Sequence, residues 1–352
     1  MADAAPQQPT PADKPAAKPN KPAAKAKQPR PMPKDPAAKA AARAAKAEKK
    51  PRRPKKEQAF RSGFCSVVGR PNVGKSTLVN KLVGQKVAIT SEKAQTTRHA
   101  IHGVVTTEDP AQIVFVDTPG IHKPLHLLGE QIVKAATDTL GEVDVRVFLV
   151  DAQEPAGKGD QFIAELLKKA KKPTILVLNK VDRVKEVPDA IFESYKALMD
   201  FDAVVPLSAR TGRNTKALLA QIVKRLPEGP RYYDEDVPTD QTLRTLAGEL
   251  IREQILRQTA EEIPHSVAVY IDEFDETVSP PRIRATIFVE RDSQKGIVIG
   301  DQGARLKEIG AYARKAIEEQ MGEQIFLDLW VKVLKNWRKD KPALKRLGYI
   351  TD

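Results

Sequence analysis

Short apolar runs alternate with amphipathic stretches between residues 60 and 229. The apolar runs are strand-length and rich in Val and Ile: "FCSVVG", "QIVFVDT", "VRVFLVDA", "TILVLNK" and "AVVPLSA". Helix-like stretches lie between them, among them "KSTLVNKLVG", "DQFIAELLKKAKK" and "TKALLAQIVKRL". This alternation favours a mainly parallel sheet with helices on both faces. Functional residues of such a fold are expected in loops at the carboxyl ends of the strands.

The pattern changes after the polar, turn-rich segment "LPEGPRYYDEDVPTD" at 226–240. A long amphipathic helix follows, then two strands, a glycine-interrupted helical stretch and a last strand, "QIFLDLWVKV". This α-β-β-α-α-β order predicts a compact second domain with an antiparallel or mixed three-stranded sheet. We expect Trp330, in the last strand, to pack in its core.

Residues 1–57 carry most of the net charge. They hold 16 Lys/Arg against 5 Asp/Glu, which is +11 of the formal +13, and 12 of the 27 prolines. Met32 is their only large apolar residue beyond the initiator. So few apolar side chains predict a disordered tail. Two interpretations stay open: a loose hold on RNA or anionic lipid, and a solvated spacer.

Composition also limits the compartment. No apolar stretch typical of a secretory signal follows the early charges, and none reaches the roughly 20 residues of a membrane span. Cys65 is the single cysteine, so no internal disulfide can form, which fits a reducing cytosol. Because Cys65 lies in an apolar strand pattern, we expect a packed thiol. A cytoplasmic protein is predicted.

The segment "GRPNVGKST" at 69–77 follows a strand and opens a helix, as the phosphate-binding pattern G-x-x-x-x-G-K-[ST] requires. Its backbone amides and the helix N-terminus would hold phosphates, Lys75 would reach the terminal phosphates, and the Ser76 hydroxyl would bind Mg²⁺. The candidate nucleotide-binding residues here are Gly69, Arg70, Pro71, Asn72, Val73, Gly74, Lys75, Ser76 and Thr77.

Two further segments fall where a GTP-dependent switch would lie. "VDTPGI" places Asp117 as the acidic partner of Mg²⁺ and the Gly120 backbone as a γ-phosphate sensor, with Thr118 and Pro119 between them. In "QTTRH", 95–99, a threonine would complete the Mg²⁺ shell; Thr97 is the first candidate and Thr96 the second. A plain polar loop is the alternative.

Two motifs indicate guanine. In "NKVD", the Asp182 carboxylate can accept both N1–H and N2–H₂ of guanine, a donor pair that adenine lacks, so an ATPase is disfavoured. "SAR" could offer a backbone amide to guanine O6. The predicted roles around the base are shared among Asn179 (loop tie and base contact), Lys180 (stem over the ring), Val181, Asp182, Ser208, Ala209 (amide to O6) and Arg210.

Ile121 stands where several GTPases place a water-orienting glutamine. Its side chain makes no hydrogen bonds, so backbone groups or a bound cation must position the water and offset charge. Asn72 is the hypothesised ligand of a K⁺ ion that would bridge the phosphate loop and the nucleotide. A loop-stabilising side chain is the alternative for Asn72.

The second domain contains Gly-x-x-Gly within "IVIGDQGARLKEIG". Such a turn between helices can bring backbone against single-stranded nucleic acid, as in KH modules. Its central pair, Asp301 and Gln302, lacks the basic residue that phosphate favours, and nearby Lys295 would help to compensate. Predicted RNA contacts are Ile297, Gly300, Asp301, Gln302, Gly303, Arg305 and Lys307, with Val298 and Ile299 completing an apolar floor.

The basic end of the chain, "KNWRKDKPALKRLGY", interleaves Trp337 and Tyr349 with positive charge. This composition is consistent with base stacking plus phosphate contact. A solvated helix is an equal alternative.

Together these motifs resemble the Era family of bacterial GTPases. "GRPNVGKST", "QTTRH", "DTPGIHKP", "NKVD", "SAR" and the C-terminal "IVIGDQGARLKEIG", "LWVKV" and "LGY" carry the resemblance, which covers nearly all of 62–352. It implies an α/β P-loop NTPase of Ras-like type at 58–229, with a mainly parallel six-stranded sheet. A linker at 230–240 and an α+β type II KH domain with a basic tail at 241–352 follow. Residues 1–57 lie outside the family pattern.

The resemblance also implies a function. Era-like proteins are maturation factors of the small ribosomal subunit whose KH domain holds the 3′ end of its ribosomal RNA. They have a hydrophobic residue where Ile121 stands, and they associate peripherally with the inner face of the plasma membrane. We therefore expect a Mg²⁺-dependent, monomeric GTPase with Lys75, Thr97 and Gly120 in catalysis. In it, bound GTP favours RNA binding and hydrolysis prompts release.

Two alternatives remain at this stage. In the first, the nucleotide is held with little turnover and the protein is an RNA-binding module. In the second, the basic tail steers a GTPase to a membrane surface.

Overall fold

The computed structural model describes residues 59–91, 101–117, 127–259, 263 and 266–350. The basic tail, Thr96, Thr97 and the run from Thr118 to Ile121 lie outside these residues. Within the described part of the chain, no helix is both long and apolar enough to cross a bilayer.

The first domain contains a sheet in the order β2-β3-β1-β4-β5-β6. Only the β2–β3 pair is antiparallel among its described pairs. The strands are β1 (Arg61–Val68), β2 (Ile101–Thr106), β3 (Ala111–Asp117), β4 (Val145–Asp151), β5 (Thr174–Asn179) and β6 (Ala203–Pro206). The helices are α1 (Lys75–Val83), α2 (Leu127–Glu142), α3 (Lys158–Lys169), α4 (Asp189–Lys196) and α5 (Thr215–Val223).

Burial explains why the central strands read as continuous apolar runs. Every residue of β3, β4 and β5 is buried, as expected when helices cover both faces of a parallel sheet. One apolar cluster joins β-strand side chains to α1 and α5, and a second joins them to α3 and α4. Cys65 lies in the first cluster and is fully buried, and burial raises the pKa of its thiol.

The second domain has a mixed three-stranded sheet in the order β7-β8-β9. β7 and β8 are antiparallel, whereas β8 and β9 are parallel. The strands are β7 (Ala268–Asp275), β8 (Arg282–Val289) and β9 (Phe326–Val333). The helices are α6 (Leu243–Gln258), α7 (Asp292–Ile299), α8 (Ala304–Met321) and α9 (Lys341–Arg346). Side chains from α6, α7, α8 and the three strands form a single apolar cluster.

The segment between the domains is bonded to the first sheet. The Gln112 side chain on β3 accepts from the amides of Tyr232 and Tyr233 at 2.9 and 3.1 Å. On edge strand β2, the Val104 amide donates to the Pro238 carbonyl at 2.8 Å. The linker therefore runs along the sheet and is hydrogen-bonded to both β2 and β3.

The two tryptophans have roles opposite to those expected from the sequence. Trp337 is fully buried, donates its indole N–H to the Ser266 carbonyl at 3.1 Å and stacks on Tyr349. Trp330 is 55% exposed. Strand alternation gives the reason: Leu329 and Val331 point into the core cluster, which turns Trp330 to the outer face. The expectation of a core Trp330 was wrong, and the buried Trp337 fits neither of the two alternatives for its segment, base stacking or a solvated helix.

Candidate functional site

The phosphate loop joins β1 to α1 through backbone conformations that need glycine. Gly74 caps α1 with φ +103°, and a Cβ there would lie 2.5 Å from Asn179 Nδ2. A Cβ on Gly69 would lie 2.2 Å from the Leu149 carbonyl oxygen. Asn72 also has a positive φ, of 65°. Neither glycine position can accept a larger residue without moving backbone or a buried amide.

Lys75 folds back over this loop. Its ammonium donates to the carbonyls of Gly69 and Arg70 at 3.2 and 3.0 Å, and the residue is buried. Burial lowers the pKa of Lys75 to about 8, although the negative charge of Asp117 opposes that shift. A bound polyphosphate would add negative charge beside Lys75. Because nearby anions favour the ammonium form, it would raise the pKa of Lys75.

Ser76 and Asp117 form a pair of hard oxygen donors. The Ser76 hydroxyl donates to the Asp117 carboxylate at 2.8 Å, and Asp117 is fully buried at the carboxyl end of β3. The described residues hold no group of three or more His, Cys, Asp or Glu that could cage a metal. One carboxylate and one hydroxyl suit Mg²⁺, which keeps waters and takes phosphate oxygens as its other ligands. Thr97 lies outside the described residues.

Asn179, at the end of β5, ties three loops together. Its side-chain amide donates to the Val73 carbonyl of the phosphate loop at 2.7 Å. Its side-chain oxygen accepts from the Ala209 amide at 2.9 Å. The predicted loop tie is therefore present, but in this structure the Ala209 N–H points to Asn179. Its predicted bond to guanine O6 stays a prediction.

The carboxylate of Asp182 is held from two sides. The Ser208 hydroxyl donates to it at 2.6 Å, and the Arg210 guanidinium lies 3.4 Å away. The Ser208 hydrogen bond is the main reason that the pKa of Asp182 is lowered. The carboxylate is thus kept ionised, as an acceptor of two N–H donors must be.

Three acidic residues of this site were missed by the motif search. Asp151, which ends β4, pairs with the Lys180 ammonium at 2.6 Å and holds that side chain in place. Glu154 and Asp160 pair with Arg70 at 2.7 and 3.1 Å, and they anchor the phosphate loop to the turn after β4 and to α3. In the sequence, the only sign of these three residues was Asp151, the acidic residue that follows the apolar run "VRVFLV".

The Gly-x-x-Gly turn lies between α7 and α8. Gly300 has φ 73° and ψ −179°, a conformation that is essentially confined to glycine, and Gly303 has φ 82°. Between them Asp301 and Gln302 are exposed, and Gln302 also has a positive φ, of 46°. The turn therefore presents backbone and two polar side chains to solvent.

The residues beside the turn divide into surface and core. Ile297 is half-buried, whereas Val298 is fully buried in the domain core and cannot form part of a floor for bases. Arg305 donates to the Ile297 carbonyl, which ties the start of α8 to α7. Lys307 is exposed.

The chain matches two family models. One, described as a 50S ribosome-binding GTPase, matches residues 64–180, and one described as a KH domain matches residues 262–338. An Aquifex aeolicus Era variant crystallised with GDP·AlF4⁻ is 41% identical to this chain, with a TM-score of 0.80. That alignment covers 83% of this chain and 100% of the other. This chain belongs to the Era family.

A second Era crystal structure, in complex with MgGDPNP and nucleotides 1506–1542 of 16S ribosomal RNA, is also 41% identical. Its TM-score is 0.79, and the alignment again covers 83% of this chain and 100% of the other. The Era family has the architecture expected from the sequence: a P-loop GTPase domain with a mostly parallel six-stranded sheet, followed by a KH domain. That expectation is confirmed.

Proposed function

We propose that this protein is a Mg²⁺-dependent GTPase that binds the 3′ end of small-subunit ribosomal RNA through residues 241–352 during subunit assembly. The observation that carries the nucleotide part is the chain of hydrogen bonds Val73–Asn179–Ala209, which joins the phosphate loop and both base loops into one site. The RNA part is supported by the 41% identity to the Era chain crystallised with 16S ribosomal RNA nucleotides. The proposed boundaries are 58–229 for the G domain, 230–240 for the linker and 241–352 for the KH domain.

The proposed nucleotide contacts follow from this geometry. Amides of the loop 69–77 hold the phosphates, Lys75 offsets charge on the terminal phosphates, and Asp182 selects guanine. Ser76 and Asp117 are the residues that would hold Mg²⁺, which when bound neutralises charge on the β- and γ-phosphate oxygens. The residues of 118–121 and Thr97, outside the described residues, complete the proposed set.

We propose that the site accelerates hydrolysis by stabilising negative charge in the transition state and by positioning the attacking water. Water attacks the γ-phosphorus while the bond to the bridging oxygen breaks; GDP and phosphate leave, and the proton of water passes to phosphate. Lys75 and the loop amides stabilise charge in that loose transition state. Without a glutamine at Ile121, we propose that K⁺ bound by the exposed side chain of Asn72 assists. Turnover that is identical in K⁺ and Na⁺ would exclude this role.

Nucleotide state reaches the KH domain through two contacts beside the predicted switches. Glu253 of α6 binds Thr90, just before the first switch segment, at 3.0 Å to its amide. Leu128, just after the second, packs with Trp337 and Phe288 in one apolar cluster. A switch that changes shape must therefore move groups bonded to the KH domain, so bound nucleotide can favour one RNA affinity over another.

The test combines turnover with RNA crosslinking in GTP and in GDP. We expect steady GTP hydrolysis that needs Mg²⁺, and crosslinks at the 3′ end of small-subunit ribosomal RNA that weaken in GDP. Binding without turnover would favour an RNA-binding module that merely holds nucleotide. A preference for ATP would overturn the proposal.

Localisation forms a separate part of the proposal. We propose a monomeric cytoplasmic protein with peripheral contact at the inner face of the plasma membrane, supported by the +11 charge of residues 1–57. Deleting 1–57 should abolish binding to anionic vesicles and leave ribosome binding intact. Loss of ribosome binding instead would assign the tail to RNA.

A further inference from the structure

A basic cavity of about 590 Å³ opens on the G domain beside the starts of β4 and β5. Because the nucleotide loops follow the carboxyl ends of these parallel strands, the cavity lies at the opposite edge of the sheet. We call it the lysine cavity. Its charged lining residues are Arg146, Lys168, Lys171, Lys172, Lys196 and Asp200.

Capping of α3 does not account for these lysines. The end of α3 is already served by Arg146, a fully buried residue that donates to the Leu167 and Lys172 carbonyls at 2.8 and 2.5 Å. Lysines near a helix C-terminus commonly supply such bonds. Here a buried guanidinium does so, and the side chains of Lys168 and Lys171 remain exposed to solvent.

The lysine cavity carries more positive than negative charge: Asp200 is the one acid among its described lining residues, and Asp202 acts electrostatically on Arg146. Within the described ranges, Lys168, Lys171 and Lys172 make no ion pair, and neither does Arg146. Lys196 pairs only with Glu193, in an exposed contact. Like charges gathered in one concavity repel each other and raise the local concentration of anions.

Surface chemistry favours one class of anionic partner. The lysine cavity is a wide, open concavity, and Leu198 and Met199 in its wall are half-buried rather than protruding, so they are poorly placed to enter a bilayer. A protruding sugar–phosphate strand can enter such a concavity and bring several phosphates to the lysines. We propose that the lysine cavity binds the backbone of ribosomal RNA as a second contact. The proposal rests on the proposed RNA-binding function and adds a G-domain site to it.

The test compares two double variants of the full-length chain. Lys168→Gln/Lys171→Gln removes the charge of two exposed lysines of the cavity. Lys216→Gln/Lys224→Gln removes equal charge from exposed positions on and just after α5. The probes are purified small ribosomal subunits, a short single strand matching the ribosomal RNA 3′ end, and vesicles of anionic lipid. We expect the cavity variant to bind subunits roughly tenfold more weakly. A plot of log affinity against log salt concentration should become less steep, with the magnitude of its negative slope reduced by about 1.4–1.8.

The remaining outcomes separate the cavity proposal from lipid binding and from the proposed function. Binding of the short strand and of GTP should stay at the wild-type level in both variants, because those sites are elsewhere. Equal loss in the two double variants, or none in either, would overturn the cavity proposal while leaving the proposed function intact. Loss of vesicle binding alone would assign the lysines to lipid. Failure of the wild type to bind either RNA would instead refute the proposed function.

Discussion

A buried lysine and a buried aspartate lie beside each other at the carboxyl edge of the first sheet. Asp117 is fully buried, and Lys75 is buried under the phosphate loop with its pKa lowered to about 8. Each side chain is kept in a low-dielectric environment in which a triphosphate and its metal would interact strongly with it. Single residues of this kind set the pH dependence of the site.

Nucleotide binding should take up protons near pH 8. The Lys75 pKa is about 8 in the nucleotide-free chain because burial disfavours the ammonium, and phosphate charge should raise it in the complex. The complex then holds more protons, so affinity is highest below pH 8 and falls as pH rises through 8. Calorimetry at pH 8 in buffers of different ionisation enthalpy should detect uptake of about half a proton per nucleotide.

Lys75→Arg provides the control for proton uptake, because a guanidinium stays charged over this range. Its nucleotide binding should show no uptake at pH 8. Equal uptake by the arginine variant would assign the proton to another group.

Asp182→Asn should move base preference from guanine to xanthine. The amide replaces one acceptor with a donor, which matches the xanthine edge and leaves a guanine N–H unpaired. Loss of a hydrogen bond to a charged group costs about 1.5–3 kcal/mol, so GTP affinity should fall roughly 10- to 100-fold. Competition binding with GTP and XTP measures the change. Unchanged GTP affinity would contradict the assigned base contact.

At the scale of elements, side chains link each loop of the site to a different strand, loop or helix of the domain. Asn179 links β5 to the phosphate loop, Asp151 at the end of β4 holds Lys180, and Asp160 on α3 holds Arg70. Each fastening joins segments that are far apart in sequence. The nucleotide site is therefore pre-formed by packing of the elements that carry it.

Element packing also predicts different effects for the two tryptophans. Trp337→Ala should lower the free energy of unfolding by about 3–5 kcal/mol, because it removes a fully buried indole and its bond to Ser266. Trp330→Ala should cost much less, since that ring is 55% exposed. Denaturant unfolding of the two full-length variants measures both. Similar losses would place Trp330 in a buried contact as well.

At the scale of the whole molecule, both predicted switches adjoin contacts with the second domain. Glu253 is fully buried, accepts from the Thr90 amide and hydroxyl at 3.0 and 3.3 Å, and pairs with Lys86 and Arg257. Leu128, just after the second predicted switch, packs in an apolar cluster with side chains of the C-terminal segment. The two predicted switch segments are thus each followed or preceded by a described residue that contacts the KH domain.

Glu253→Gln should weaken the coupling between nucleotide and RNA. The amide keeps the size of the side chain but removes the charge that pairs with Lys86 and Arg257, at a stability cost of about 1–3 kcal/mol. The ratio of RNA affinities in GTP and GDP should move towards one, measured by filter binding in each nucleotide. Glu193→Gln, which breaks only an exposed pair, should preserve the wild-type ratio. An unchanged ratio in Glu253→Gln would exclude this route of coupling.

The nucleotide loops were predictable because their chemistry is local. The motifs around Gly69, Gly74, Lys75 and Ser76 and the runs "DTPG" and "NKVD" are recognised by residue type and short spacing, which the sequence displays directly; residues 118–120 of "DTPG" lie outside the described residues. The alternation of apolar runs likewise determined a parallel sheet, since buried strands must be apolar on both faces.

Only the tertiary structure decided which distant residues meet. Asp151, Asp160 and Glu253 acquire their roles from partners many residues away. The exposure of Trp330 depends on which side of β9 is covered, and Trp337 is buried by its contacts with Ser266 and Tyr349. In the sequence, Lys168, Lys171 and Lys172 lie at one helix end and Lys196 at the end of another. Packing of β4, α3 and α4 brings the four lysines to one concave surface. Contacts between residues that are distant in sequence are properties of the packed chain, and no local pattern encodes them.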